Sequence, residues 1–382
     1  MPWPIPDIPL IAPPKRLRSW RWAAACVGAI LLGITCTVLF WPKGTATGTP
    51  WFWTCAAVFP LTLWGLVFSL RLHRFELAKL EAANWNAHRD QALRRWAQWS
   101  QRGLAIADAA VSLPAGLVVE DLAGMHDKPQ PATTPLMQWR DAENTAALHD
   151  ALESLLERMP ALLQTPAPFA VHLQASTEAF AICRDALHTA LNQLGLQYQP
   201  ATALKPADFC EQINTWLDAS EPMPWRLVVA CDIAPQDLND DPTCSETLSA
   251  LLFAPDEDAH EALAHWQRPM PTMGDQFATD LPHLLAANGV PADTVARAWL
   301  AGVPRDWQGT LISAADDAGC TRLLQNQTQS IHVADQAVGP VGPASCWLGL
   351  ALAALAMRYV CAPQIALGQQ DDQAILNLLL PG

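Results

Sequence analysis

The sequence predicts an α/β layered domain preceded by a two-helix transmembrane hairpin. Three observations carry that expectation. Two uncharged stretches of twenty residues stand near the start of the chain. Beyond them, short β-branched or apolar runs alternate with amphipathic helical segments, the pattern of strands layered against helices. Basic residues flank the apolar stretches, while the rest of the chain is strongly acidic.

The hairpin comes first. Residues 22–41 (WAAACVGAILLGITCTVLFW) and 51–70 (WFWTCAAVFPLTLWGLVFSL) contain no charged side chain. At 1.5 Å per residue each reaches about 30 Å, the thickness of a bilayer's hydrocarbon core. A secretory signal would have a shorter apolar region, about 7–15 residues. Trp20, Trp22 and Trp41, then Trp51 and Trp53, stand where an interfacial aromatic belt belongs. Lys15, Arg16, Arg18 and Arg21 precede the first stretch, and Arg71, Arg74 and Lys79 follow the second; the loop Pro42–Pro50 has only Lys43. The positive-inside rule then places both termini and the main domain in the cytoplasm. No ionisable side chain lies inside either stretch, which argues against an ion pathway.

The expected organisation is a cytoplasmic tail (1–21), the hairpin (22–71), a juxtamembrane helix (72–103) and a cytoplasmic α/β domain (104–382). In the third segment Trp85, Leu93, Trp96 and Trp99 recur at helical spacing, read as a helix packing its tryptophans on the domain behind it or, alternatively, lying near headgroups with its Arg and Trp at the interface. His126–Pro135 (HDKPQPATTP) reads as a surface loop or linker. Helices are expected at 141–165 (with Asp141 as its cap), 178–194, 206–217, 280–288, 292–300 and 347–359. Strands are expected at 169–173, 226–233, 248–253, 309–314, 364–367 and 374–380.

Composition narrows function. Only 16% of residues are charged, against roughly 25% in ordinary soluble domains. Of 23 basic and 37 acidic residues, seven and one fall in residues 1–74, so the remainder is net −20. Such a domain repels phosphate backbones, which disfavours nucleic acid and suits a basic protein partner or simple solubility. The ten cysteines form no CxxC pair and read as reduced, with no zinc-ligand spacing. In HEALAH, His260 and His265 are five apart rather than four, so the metalloprotease pattern fails and a solvated helix face is expected. The runs Asp240–Asp241 and Asp256–Glu257–Asp258 lack calcium-loop spacing, Gly339, Gly342 and Ser345 do not follow the dinucleotide pattern, and Ser313 and Ser345 lack a nucleophile elbow.

The final 200 residues resemble the C-terminal half of the thiolase-like (β-ketoacyl synthase) fold. RLVVACDIAPQDLNDDPTCSETLSALLFAP (226–255) is similar to the family's strand ending in GxDS followed by an apolar strand. GPVGPASCWLGLALAALAMR (339–358) is similar to its Gly-rich turn, GHTGAASG, entering an apolar helix, and APQIALGQQDDQAILNLLLP (362–381) to its closing hairpin. The resemblance implies a degenerate member. The family's histidine in that turn is matched by Pro340, and Cys183, entering a helix without a small-residue elbow, reads as a core cysteine rather than a nucleophile. Hence no catalytic, cofactor or metal residue is assigned. Small degenerate thiolase-like proteins, some tethered to membranes, are encoded beside effectors of the bacterial type VI secretion system, which implies a non-enzymatic accessory or adaptor protein. The alternatives are an acyl-thioester or lipid-acting enzyme using Cys183 or Cys346, and an immunity protein against a membrane-active toxin.

Overall fold

The computed structural model describes residues 3–44, 46–113, 119, 139, 145–166, 168–233 and 244–382. The loop expected at His126–Pro135, the cap Asp141 and the Asp240–Asp241 run lie outside them. The chain forms two units: Ile5–Trp96, and Ala97–Gly382 together with Trp3 and Pro4.

In the first unit, α1 (Ser19–Phe40) and α2 (Phe59–Ser100, which continues into the second unit) are long and apolar enough to cross a membrane. They run antiparallel: Trp22 meets Phe68 at one end, and Trp41 meets Phe52 at the other. Between them Gly33 faces the second helix so closely that a Cβ would lie 2.2 Å from Pro60 Cγ and 2.7 Å from the Ala56 carbonyl. Pro60 has no N–H to donate back along the helix. Immediately upstream, Thr54–Val58 widens into a π-turn in which the Phe59 N–H donates to the Thr54 carbonyl. The second apolar stretch and the segment expected as a juxtamembrane helix belong to one helix. Nothing in residues 71–100 stops a helix, so α2 is continuous over 42 residues. The N-terminal tail returns along it: Arg89 Nε donates to Ile8 O (2.9 Å), Trp85 Nε1 to Pro9 O (3.0 Å), and Asn86 bonds both the N–H and the carbonyl of Ile11.

The second unit is a duplicated α/β layer. Its first repeat comprises β1 (Gly103–Ser112), α3 (Thr145–Glu157), β2 (Ala170–Gln174), α4 (Phe180–Gln193), β3 (Thr202–Leu204), α5 (Phe209–Asp218), β4 (Arg226–Asp232) and β5 (Thr247–Ala254). The second comprises β6 (Ala264–Gln267) with the short β7 (Met270–Thr272), α6 (Phe277–Ala287), β8 (Arg297–Ala301), α7 (Arg305–Asp317), β9 (Ile331–Val333), α8 (Ser345–Ala356), β10 (Gln364–Gln370) and β11 (Gln373–Pro381). Strand order is β3-β2-β4-β5-β1 in one and β9-β8-β10-β11-β6 in the other, joined where β1 pairs antiparallel with β6. In both, the first three pair in parallel and the fourth joins antiparallel.

Two expectations reverse. Ala292–Leu300 is not a helix; its second part is β8, held between β9 and β10 and buried at Ala298–Ala301. Gly309–Ala314 is not a strand but lies in α7, which buries Leu311, Ala314 and Ala315 along one stripe. The segment 226–255, expected in the C-terminal half of the fold, forms β4 and β5 of the first repeat. The HEALAH run forms no α-helix face: Asp256–Glu261 is an exposed 3₁₀ turn and His265 lies in β6.

Candidate functional site

The duplication makes α5 and α8 equivalent helices, each following the third strand of its repeat. α8 is buried at all twelve positions, consistent with its unbroken Ala/Leu surface. α5 is amphipathic and buries Phe209, Ile213, Trp216 and Leu217 against it and the sheet. Their first turns meet, with the Phe209 and Trp347 rings 4.8 Å apart and edge to face. Each helix carries a cysteine at its second position, Cys210 and Cys346. Sequence reading weighed Cys183 and Cys346 and missed Cys210, because its helix follows a strand of only three residues. Cys183 is buried in α4, as a core cysteine should be.

Burial weighs against a thiolate at either helix start. A reactive cysteine needs its thiolate stabilised by nearby positive charge or amide donors. Here burial pushes the Cys210 thiol up to about 12. Burial raises Cys346 further, and the neighbouring Cys210 adds to the effect. Cys346 Sγ points at the Gln369 carbonyl, 3.5 Å away, wedged against Gly368, where a Cβ would lie 2.6 Å from the sulfur. Among the described residues no histidine hydrogen-bonds either thiol.

The turn before α8 is equally committed. Gly339 takes a positive φ of 83°, which glycine adopts without strain. The Pro340 carbonyl accepts the Ser245 N–H at 2.6 Å, and the Val338 carbonyl accepts the Ser245 hydroxyl. Asp335 accepts the N–H groups of Gly302 (2.8 Å) and Val341 (3.2 Å). Gln174 donates to the Pro343 carbonyl (3.0 Å) while accepting the Trp347 indole N–H (2.8 Å). Most telling is Asp232, at the end of β4. Both of its carboxylate oxygens lie 3.1 Å from the Ala344 nitrogen, and a Cβ on Gly342 would fall 2.7 Å from its Cγ. Free amides at a helix start would hold an anion or a developing oxyanion. In this chain an internal carboxylate occupies that place. Burial pushes Asp232 up to about 7, opposed by the Ala344 and Gly342 amides.

Other groups gather elsewhere. His149, Asp150 and Glu153 on α3 offer ligand atoms within 4.8 Å of one another. The Gln193 amide, turned with its nitrogen toward them, donates to His149 Nε2 (2.8 Å) and Glu153 (3.1 and 3.2 Å), which satisfies the group without a metal. A cleft of about 690 Å³ on the outer side of α4, with Arg184, His188 and Tyr198 in its wall, contains neither cysteine of the central helices.

A duplicated layer with paired central helices is the thiolase-like fold, and that is the class of this domain. The ishigamide ketosynthase/chain length factor superposes with a TM-score of 0.51 at 14% identity, covering 73% of this chain and 100% of that one. At that identity the likeness establishes the fold alone. The 3-oxoacyl-[acyl-carrier-protein] synthase III of Aquifex aeolicus VF5 gives 0.47 at 12% identity (73% and 100% covered), and the corresponding synthase of Pseudomonas aeruginosa PAO1 gives 0.46 at 15% (73% and 98%). No protein-family model matches the sequence, nor does any curated protein.

Proposed function

We propose that this chain is a membrane-anchored, non-enzymatic accessory or adaptor protein whose thiolase-like domain binds a protein partner, a type VI secretion effector or component. The observation that carries the reading is Asp232 in the amide cradle of α8. An enzyme that stabilises an oxyanion there needs those donors free, whereas a scaffold gains by satisfying them internally. Pro340 in place of the family's histidine, and two thiols held protonated by burial, point the same way. The hairpin supplies the anchor, with both ends at the inner face of a bacterial inner membrane. The acidity of the remaining chain favours a basic surface on the partner.

The test is a chain in which Cys210 and Cys346 are both replaced by serine. Cross-linking in membranes should recover the same specific effector or secretion component with the variant as with the parent chain. An acyl adduct on Cys210 of the parent after incubation with acyl thioesters, or recovery of no specific protein while the domain is intact, overturns the proposal.

A further inference from the structure

The hairpin is electrically lopsided. Lys15, Arg16, Arg18 and Arg21 lead into α1, and Arg71, Arg74 and Lys79 follow the apolar part of α2. The Trp22–Phe68 contact brings these two flanks to the same end. All seven side chains are exposed. Lys79 pairs loosely with Glu76 at 3.9 Å, and among the described residues the other six form no ion pair. From Arg71 to Lys79 the helix rises about 12 Å at 1.5 Å per residue, close to the Debye length of roughly 8–10 Å at physiological salt. The tail keeps to the same rod, since Ile11 is held on Asn86 and the chain must run back from there to Ser19. The two acids on this stretch of helix, Glu76 and Glu81, leave the collar strongly positive. Trp20, 66% exposed with the Arg21 guanidinium over its ring, adds an amphipathic anchor at the same level. The opposite end of the hairpin has only Lys43.

We infer that this collar binds the headgroups of anionic phospholipids, selecting them over zwitterionic ones around the base of the hairpin. Unpaired, exposed guanidinium groups beside a hydrocarbon-length helix pair are complementary to phosphodiester oxygens that bear net charge. Residues 75–382, net −20 even with Lys79 counted among them, are repelled by the same lipids, so the attraction has to come from the collar. The inference rests on the membrane reading above, and the experiment separates the two.

The full chain, purified in a mild detergent, is offered equal amounts of phosphatidylglycerol and phosphatidylcholine of matched acyl length, and the retained lipids are counted by native mass spectrometry. The parent chain should keep phosphatidylglycerol in about fivefold excess or more. The R16Q/R18Q/R71Q/R74Q variant should keep both equally. R16K/R18K/R71K/R74K should behave as the parent, because charge rather than guanidinium geometry is required, and K43Q should change nothing. Equal retention by the parent, or an unaltered preference in the glutamine variant, overturns the inference. Carbonate washing of the membranes from which the chain is purified reads the anchor independently: a chain that resists extraction but shows no lipid preference refutes the collar alone, and a chain that is stripped refutes both.

Discussion

Asp232 holds a carboxyl group where water is excluded, against two backbone amides. Its ionised form is disfavoured in the fold, so its folded pKa, about 7, lies above the unfolded value near 3.8. A raised carboxyl pKa means the native state holds its proton more tightly. Stability from this group is therefore fully present below about pH 4 and is lost as pH rises through 7. The full difference is on the order of 4 kcal/mol. Asp232→Asn removes the titration while keeping an acceptor for the Ala344 amide. Thermal unfolding of the full chain in detergent at pH 5 and pH 8 should show a smaller drop for the variant than for the parent. Equal drops would mean the carboxyl does not titrate in this range. The two helix-start thiols give a second expectation. Burial raises both thiols and so disfavours their thiolates. Iodoacetamide followed by peptide mass spectrometry should modify exposed Cys361 well before Cys210 or Cys346. Asp232 itself was visible in the sequence as the acid closing an apolar strand. Its role was not, because the amides it meets belong to residues more than a hundred positions away.

At the scale of elements, local pattern located the segments that bury one face and misjudged those whose environment is non-local. α4 and the closing strands β10 and β11 were legible because amphipathic spacing, or two apolar runs separated by a turn at Asp371, is enough to define them. β8 was not: ARAWL is helix-favouring, and pairing on both edges overrides propensity. β1 reads as scattered alanines, yet it is sandwiched between β5 and β6 and buried nearly throughout. In the hairpin, the sequence shows two apolar stretches but not that Gly33 is the point where they touch. Gly33→Leu would have to displace Pro60 and the Ala56 carbonyl at once, an overpacking that costs about 1–3 kcal/mol or more. Full-length Gly33→Leu in detergent should unfold at a lower denaturant concentration, whereas Gly28→Leu, with open space around its Cβ, should leave the midpoint near that of the parent.

For the molecule as a whole, duplication explains why one apolar cluster spans both repeats, beside a second cluster that lies within the first repeat alone. The repeats share a continuous sheet through β1 and β6, and their central helices meet within a single apolar cluster. Trp266, on β6, sits at that seam. Its ring contacts Phe209 of α5, Phe253 of β5 and Trp347 of α8, at centroid distances of 5.8, 6.0 and 6.0 Å, and its indole N–H donates to Asn377 of β11 at 3.1 Å. Both repeats therefore lose contacts when it is removed. Trp266→Ala should destabilise the domain by about 3–5 kcal/mol through the cavity it leaves and the Asn377 acceptor it orphans. Because the seam couples the halves, the loss should appear as a downward shift of one calorimetric transition in the full chain, with calorimetric and van't Hoff enthalpies of the domain still in agreement. If the variant instead split that transition in two, each repeat would have to hold its own core, and the burial of α8 against strands of both repeats would contribute far less to the fold than its contacts with β1, β5, β8 and β10 require.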